Sequence, residues 1–322
     1  MTILITGCAG FIGFSITRDL LSKNIKVLGV DNLNDYYSTK LKKERLKELK
    51  KNINFKFYKK DCSDENFKKF FLKNKKISQV IHLAAEVGVR NSYPKPNIYF
   101  KNNIKAFFNV LEICKIKKAN LIFASSSSTY GSSKKKFFKE SDDTSKPISF
   151  YAATKKCNEV MAYAYAKNYE FSAIGLRFFN VYGPWGRPDM SIYKFTDLML
   201  KNKKISIYGT GKQVRDFTYI DDVLNLINAI IIKYKNKKNC FEVFNSGKGE
   251  CINILNLINL ISSKLKLKPK LQQKSKQIGD VNFTNSSSLK INKLLKVKPE
   301  IGLDKGIDQF INWYSSIGKY IK

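Results

Sequence analysis

Short apolar runs alternate with helix-length stretches through the first half of the chain. Thr2–Thr6, Val27–Val30, Val80–Ala85, Leu121–Ala124 and Ala173–Leu176 are too short for helices and end at small or polar residues, so they predict buried strands. Between them, Phe11–Lys23, Phe100–Lys115 and Tyr151–Asn168 predict helices. The second of these carries Ile104, Phe107, Phe108, Leu111 and Cys114 along one side. Strand and helix in strict alternation predict an α/β fold with a doubly wound parallel sheet. Ligands of such sheets bind beyond the carboxyl ends of the strands. Gly7, Asp31, Ala84-Ala85 and Ser125–Ser128 all fall at those ends, so they are expected to converge on one cleft. After Arg177 the pattern changes, and Tyr182-Gly-Pro-Trp-Gly-Arg-Pro188 is a turn-rich break. The expected division is residues 1–177 as one domain and 178–322 as mainly a smaller substrate lobe, with a tail helix from Leu303 to Tyr314.

The first strand runs straight into Gly7-Cys-Ala-Gly10-Phe-Ile-Gly13. Gly7 permits a tight turn, Gly10 lets backbone approach a pyrophosphate, and Gly13 lets the following helix pack on the strand. The pyrophosphate would meet the free N–H groups and the positive dipole end of that helix. The second strand ends on Asp31, 18 residues after Gly13, near the roughly 20 expected for a carboxylate on the adenosine ribose. A carboxylate there accepts from both ribose hydroxyls and repels a 2′-phosphate, so the reading is NAD rather than NADP. Residues 1–177 are therefore the expected dinucleotide-binding domain.

Tyr151-Ala-Ala-Thr-Lys155 places a phenol and an ammonium at i and i+4, on one helix face. A free tyrosine ionises only near pH ~10, so it needs nearby positive charge to act as a base. The pair follows the Ser125–Ser128 strand end by about 25 residues inside a dinucleotide fold, which makes it the candidate catalytic pair.

Composition narrows the alternatives. The 322 residues are 43% hydrophobic, normal for a globular chain. No apolar run nears the roughly 18–20 residues needed to cross a bilayer. The longest, around Leu226–Ile232, reads as core, so no membrane association and a cytoplasmic location are expected. Six cysteines (Cys8, Cys62, Cys114, Cys157, Cys240, Cys251) are scattered without a C-x-x-C pair, and His82 is the single histidine. Buried reduced thiols are expected, with neither metal site nor disulfide framework. His82 reads as a satisfied core histidine. The net charge of +33 comes from lysines spread almost evenly among Asn and Ile. Without clustered Arg/Lys and interleaved aromatics it does not point to nucleic acid, although anionic substrates would be drawn to the surface.

Several stretches carry a resemblance. Thr6–Gly13, the serine run before Tyr130-Gly131, Tyr151…Lys155 and Leu176-Arg-Phe-Phe-Asn-Val-Tyr-Gly-Pro184 resemble the extended short-chain dehydrogenase/reductase family of nucleotide-sugar enzymes, over nearly the whole chain. Within it, Asp31-Asn-Leu-Asn-Asp-Tyr-Tyr37, His82–Arg90, Tyr151–Lys156, Gly183–Met190 and Arg215–Asp222 are most similar to UDP-glucuronate (galacturonate) 4-epimerases. The resemblance implies a modified Rossmann fold, part of 215–245 returning to the large domain, NAD as cofactor, a UDP-sugar substrate and a homodimer built on the Phe100–Lys115 and Tyr151–Asn168 helices. Tyr151 would take the proton of the sugar 4-hydroxyl, Ser126 would relay it, and Lys155 would lower the Tyr151 pKa and hold the nicotinamide ribose. Further implied cofactor contacts are Phe11, Ile12, Asn32, Asp61, Cys62, Leu83, Ala84, Ala85, Asn103 and Phe178. Implied substrate contacts are Arg90, Ser127, Ser128, Asn180, Arg187, Arg215 and Asp280. Arg187 is the candidate clamp for a uronate carboxylate, and Arg215 would meet the diphosphate. Ser127 and Ser128 stand where related dehydratases carry Asp-Glu, and where related decarboxylases carry a Glu, which argues for epimerisation. Asn180, where the uronate enzymes have Thr, and Glu86, where they have Gln, are the departures. Asn180 is the residue usual in neutral-sugar epimerases, which keeps UDP-glucose and its N-acetyl relatives as the alternative substrates.

Overall fold

The computed structural model describes residues 1–74, 76–275, 277, 279 and 281–321. The strands are β1 Thr2–Thr6, β2 Lys26–Asp31, β3 Phe55–Lys59, β4 Gln79–His82, β5 Asn120–Ser126, β6 Ala173–Phe178, β7 Asn180–Tyr182, β8 Ile205–Tyr208, β9 Val214–Tyr219, β10 Phe241–Ser246, β11 Cys251–Asn253 and β12 Leu271–Lys274. The helices that matter below are α1 Phe11–Ser22, α2 Thr39–Lys50, α3 Glu65–Asn74, α4 Pro96–Tyr99, α5 Ala106–Lys117, α6 Phe150–Asn168, α7 Ser191–Leu200, α8 Ile220–Tyr234, α9 Ile254–Leu265, α10 Leu289–Leu295 and α11 Leu303–Trp313.

The main sheet has seven strands in the order β10-β6-β5-β4-β1-β2-β3, and every pairing in it is parallel. Its central strands are apolar on both faces because helices cover both sides: Ile3, Leu4 and Ile5 of β1 are fully buried. This is the expected doubly wound α/β sheet. The strand order reverses between β1 and β4, and a crevice opens at such a switch point. Gly7 follows β1 there, and Leu83 follows β4. The break after Arg177 is not a clean boundary in the chain path. Beyond it α8 packs against α1, and β10 pairs with β6 to extend the main sheet. The other elements form two small sheets, β11-β9-β7 and β12-β8.

Two local departures from the expected pattern bear on the site. The Phe100–Lys115 stretch is not one α-helix: α4 continues into a π-helical segment, Phe100–Lys105, before α5 begins. A π turn is wider than an α turn and is common at functional sites. Here the fully buried Asn103 lies in that segment. The thiols are all free, but only Cys8, Cys62 and Cys114 are buried. Cys157 and Cys240 are half-buried, and Cys251 is exposed because β11 is an edge strand with one partner. Among the described residues no helix is long and apolar enough to cross a membrane, and no three His, Cys, Asp or Glu side chains cluster as a metal site.

Candidate active site

The crevice is a cavity of about 400 Å³ that runs from the glycine turn to the Asn180–Met190 segment. Its floor is built by close backbone packing. Gly7 has φ +73°, and a Cβ on it would stand 2.7 Å from the Ala84 nitrogen. A Cβ on Gly13 would stand 2.0 Å from the Gly7 carbonyl oxygen, so α1 could not approach β1 with any larger residue. Gly10 caps α1 without a side-chain hydrogen bond. The first N–H groups of the helix therefore lack an internal partner where Gly10, Phe11, Ile12 and Gly13 line the cavity. That is an anion cradle, and it fits a dinucleotide pyrophosphate.

Asp31 stands at the carboxyl end of β2, where its two oxygens accept from the Ala9 amide at 3.1 Å and the Leu33 amide at 2.8 Å. Lone pairs remain on both for a ribose diol. Asn32, Asp61, Cys62, Leu83, Ala84, Ala85 and Phe178 also line the cavity. Asp61 accepts from the Ser63 amide at 2.8 Å and the Ser63 hydroxyl at 2.6 Å. Asn103 does not line the cavity. It accepts from the Glu86 amide at 2.7 Å and donates to the Glu86 carbonyl at 3.1 Å and the Thr154 hydroxyl at 3.0 Å. It thus ties the segment after β4 to the second turn of α6, one residue from Lys155.

Ser126, Tyr151 and Lys155 meet on the cavity wall. Ser126 is the last residue of β5, and α6 begins at Phe150 with Ser149 as its N-cap, the Ser149 hydroxyl accepting from the Ala152 amide at 3.1 Å. Ser126 Oγ accepts from the Ser128 amide at 3.2 Å and lies 2.9 Å from the Ser128 hydroxyl. Burial pushes the Tyr151 phenol above its ordinary pKa; a hydrogen bond with Ser126 and the charge of Arg187 pull the other way. The Lys155 ammonium lies 6.0 Å from the centre of the Tyr151 ring and donates to the Ala124 carbonyl at 2.9 Å. Burial lowers Lys155 to about 8. The expected influence of Lys155 on the phenol is therefore not the leading one in this geometry, because its ammonium is directed at the strand end.

Asn180, Glu86, Tyr36, Arg187 and Asp189 also line the cavity. Arg187 grips Asp189 with two bonds, Nε at 3.0 Å and Nη2 at 2.5 Å, and lies over the Tyr36 ring. Asn180 donates to the Asp216 carbonyl at 3.1 Å. Burial raises the half-buried Glu86 carboxyl above its ordinary value. Ser127 and Ser128 sit in a 3₁₀ turn behind Ser126 and do not line the cavity. Arg90 is exposed on another short turn with its guanidinium over Tyr208, and Arg215 donates to the Val214 carbonyl on β9; neither lines the cavity. Asp280 lies outside the described residues.

Two features were not picked out in the sequence, where Lys42-Lys43 reads as part of a solvated helix face. Lys42, on α2, lines the cavity and donates to the Asn34 carbonyl at 2.7 Å. Glu159 continues the Tyr151–Lys155 face by one more turn and receives Arg177 of β6 through two bonds of 2.8 Å. It also accepts from the Ser125 hydroxyl at 2.7 Å. One carboxylate so fixes α6 against both strand ends that flank the cavity. The i, i+4, i+8 spacing was a visible signal for it.

His82 is buried beneath the floor, with Nδ1 2.7 Å from the Thr6 hydroxyl and Nε2 without a partner. Burial, with a contribution from Lys155, drives it down to about 3. The folded pKa lies below the unfolded value of about 6.5. Between those two values the unfolded chain takes up a proton that the folded chain refuses, so stability falls as pH drops from about 6.5 toward 3, by up to ~1.4 kcal/mol per pH unit from this group. His82→Asn is expected to flatten that limb in urea denaturation at pH 7, 6, 5 and 4. Equal slopes for both proteins would refute the assignment.

Comparison with known proteins agrees with this architecture. Residues 3–247 match the NAD dependent epimerase/dehydratase family. A UDP-glucuronate 4-epimerase of Thermodesulfobacterium geofontis is 41% identical over 96% of this chain and 95% of its own. Among solved structures, UDP-glucuronic acid 4-epimerase from Bacillus cereus, in complex with UDP-glucuronic acid and NAD, is similar with a TM-score of 0.91 at 32% identity, over 98% of this chain and 100% of that one. UDP-glucose 4-epimerase from Thermotoga maritima is similar with a TM-score of 0.88 at 28% identity, over the full length of both chains.

Proposed function

Since the chain belongs to the NAD dependent epimerase/dehydratase family, we propose that it inverts C4 of a UDP-sugar, UDP-glucuronate first among them. The observation that carries this reading is one cavity whose wall joins the glycine cradle, Asp31, Ser126, Tyr151, Lys155 and Arg187. The cofactor is NAD: the Gly7–Gly13 cradle and Asp31 would hold it, and when bound it accepts and returns the hydrogen of C4. Tyr151 takes the proton of the 4-hydroxyl. Ser126 accepts from the Ser128 amide, which leaves its own proton free to bond the sugar oxygen or the phenol. Lys155 holds its ammonium at the β5 end, where it would also meet the cofactor ribose. The 4-keto sugar then has to turn over before C4 is reduced on its other face.

A 4-keto uronate is a β-keto acid. It loses CO₂ when its carboxylate bond aligns with the ketone, so the carboxylate has to be held out of that alignment. Arg187 is the guanidinium on the cavity wall; Asp189 holds its Nε–Nη2 edge, and the paired N–H groups of its Nη1–Nη2 edge would grip the carboxylate. Ser127 and Ser128 supply neither acid nor base for eliminating water, which supports epimerisation over dehydration. Asn180 in the wall favours a second reading, the neutral sugars UDP-glucose and UDP-N-acetylglucosamine.

An NMR assay with the three UDP-sugars and no added NAD separates the readings. UDP-glucuronate is expected to give its galacto epimer without CO₂. Arg187→Met is expected to raise KM for the uronate by about 10²-fold and to release CO₂, while UDP-glucose turnover changes little. Turnover of a neutral sugar alone would replace the uronate reading with the second one.

A cytoplasmic homodimer is part of the same proposal. Phe108 and Ile116 of α5 and Val160 and Tyr163 of α6 are large apolar residues left exposed on neighbouring helices. Burying them between two copies would cover an apolar patch that single chains rarely leave open. Sedimentation velocity is expected to give a dimer for the parent and a monomer for the Val160→Lys, Tyr163→Lys double variant; a parent monomer would refute it.

A further inference from the structure

Arg45 has no relative exposure at all and heads the large side chains buried in the fold. It comes from the inner face of α2, beside Leu41, Leu46 and Leu49. Nη1 donates to the Ala9 carbonyl at 2.9 Å and the Tyr37 hydroxyl at 2.7 Å. Nη2 donates to the Trp185 carbonyl and, at 3.1 Å, to the Gly186 carbonyl. All four partners are neutral oxygens, and they belong to three separate loops. Ala9 lies inside the glycine turn, where its own amide is already held by Asp31. Tyr37 closes the loop after β2 and lines the cavity. Trp185 and Gly186 immediately precede Arg187, in a turn that Trp185 enters at φ +63°.

We propose that Arg45 is a positioning residue that sets where Arg187 stands relative to the cofactor cradle. A guanidinium is planar and rigid, so oxygens bonded to its two terminal nitrogens are held at fixed separations. The Ala9 carbonyl and the Trp185-Gly186 carbonyls are therefore fixed to one another through a single buried side chain, and the Arg187 side chain departs from the fixed turn into the cavity. Mere filling of this space would be met by an apolar side chain, without burying a charge that has no carboxylate among its hydrogen-bond partners. The inference rests on the proposed function only in taking Arg187 as the substrate contact.

The test is a double-mutant comparison of KM for UDP-glucuronate, with Arg45→Lys made in the parent and in Arg187→Met. Lysine keeps the charge but loses the fork. Arg45→Lys is expected to raise KM about 10-fold or more with kcat within about 3-fold, because a shift of the clamp weakens binding before it touches the proton transfer. In the Arg187→Met background the same change is expected to add almost nothing. Leu46→Ala, which loosens the same helix without touching the turn, controls for stability through its thermal midpoint and is expected to leave KM unchanged. The proposal is overturned if Arg45→Lys leaves KM alone, if its effect is equal in both backgrounds, or if Leu46→Ala raises KM as much. Should Arg45→Lys fail to fold, Gly186→Ala reaches the same contact from the other side: its Cβ would stand 2.9 Å from the Gly183 carbonyl and push the turn off Arg45. If the parent ignores UDP-glucuronate, the uronate reading fails in the parent alone, and the positioning role of Arg45 is overturned with it, because Arg187 then has no carboxylate to meet.

Discussion

Tyr151→Phe is expected to abolish turnover while the protein keeps its fold and its NAD. The phenol lies on the cavity wall with Ser126 as its hydrogen-bond partner and Lys155 one turn further along the same helix. Removing the hydroxyl takes away the base and leaves the ring, which packs edge-on against Tyr99 at 6.1 Å. General-base catalysis is worth about 10²–10⁴ in rate. The loss is therefore expected in kcat, by about 10³-fold or more, with KM and bound NAD little changed. NAD released by acid precipitation and read by absorbance gives the second quantity. Activity within about 10-fold of the parent would sink the assignment of the base. The pKa directions sharpen the reason for the pairing. Burial pushes Tyr151 up and Lys155 down to about 8, so each disfavours its own charged form in this cavity. A positive charge arriving beside the phenol reverses the first shift, and Arg187 already works in that direction.

Glu159→Gln is expected to be the most destabilising single change discussed here. Glu159 and Arg177 are both almost fully buried and share two bonds of 2.8 Å. Burial alone would raise the Glu159 carboxyl, but Arg177 and Ser125 more than offset it and hold it below its ordinary value. Arg177 has a further anchor, its guanidinium lying 4.8 Å over the Tyr130 ring. Neutralising one partner strands the other charge in the interior, which costs about 3–5 kcal/mol. Replacing both, as Glu159→Leu with Arg177→Met, is expected to recover most of that loss, because no buried charge is left unpaired. Urea denaturation of the three variants measures it. A loss below ~1 kcal/mol for Glu159→Gln would mean that the pair is solvated and holds nothing in place.

What could be read from the chain was what local spacing controls. Strand and helix alternation set the parallel sheet, because period and run length are properties of neighbouring residues. Gly7, Gly10 and Gly13 announced the cradle because their need for glycine arises from one turn and the helix beside it. Tyr151 and Lys155 were legible because an i, i+4 spacing is itself geometry. The resemblance extended this to Asp61, Phe178 and Arg187, all of which line the cavity. Asn103 sits elsewhere: its π-helical segment leaves it buried and bonded to Glu86 and Thr154 rather than on the cavity wall. Arg90 and Arg215 lie beyond the wall for a related reason: a basic side chain near a motif reaches a site only if its own strand or turn faces it.

By itself, then, the sequence determined the fold class, the strand ends that make the crevice, the glycine turn and the Tyr151–Lys155 pair on one helix face. Each is written in residues close together along the chain. Tertiary structure alone decided which distant groups complete them. Arg45 reaches Trp185 across 140 positions, and Arg177 crosses from β6 to Glu159 of α6. A buried charge must find its partner wherever the packed chain brings one, and no periodicity in the sequence records that meeting.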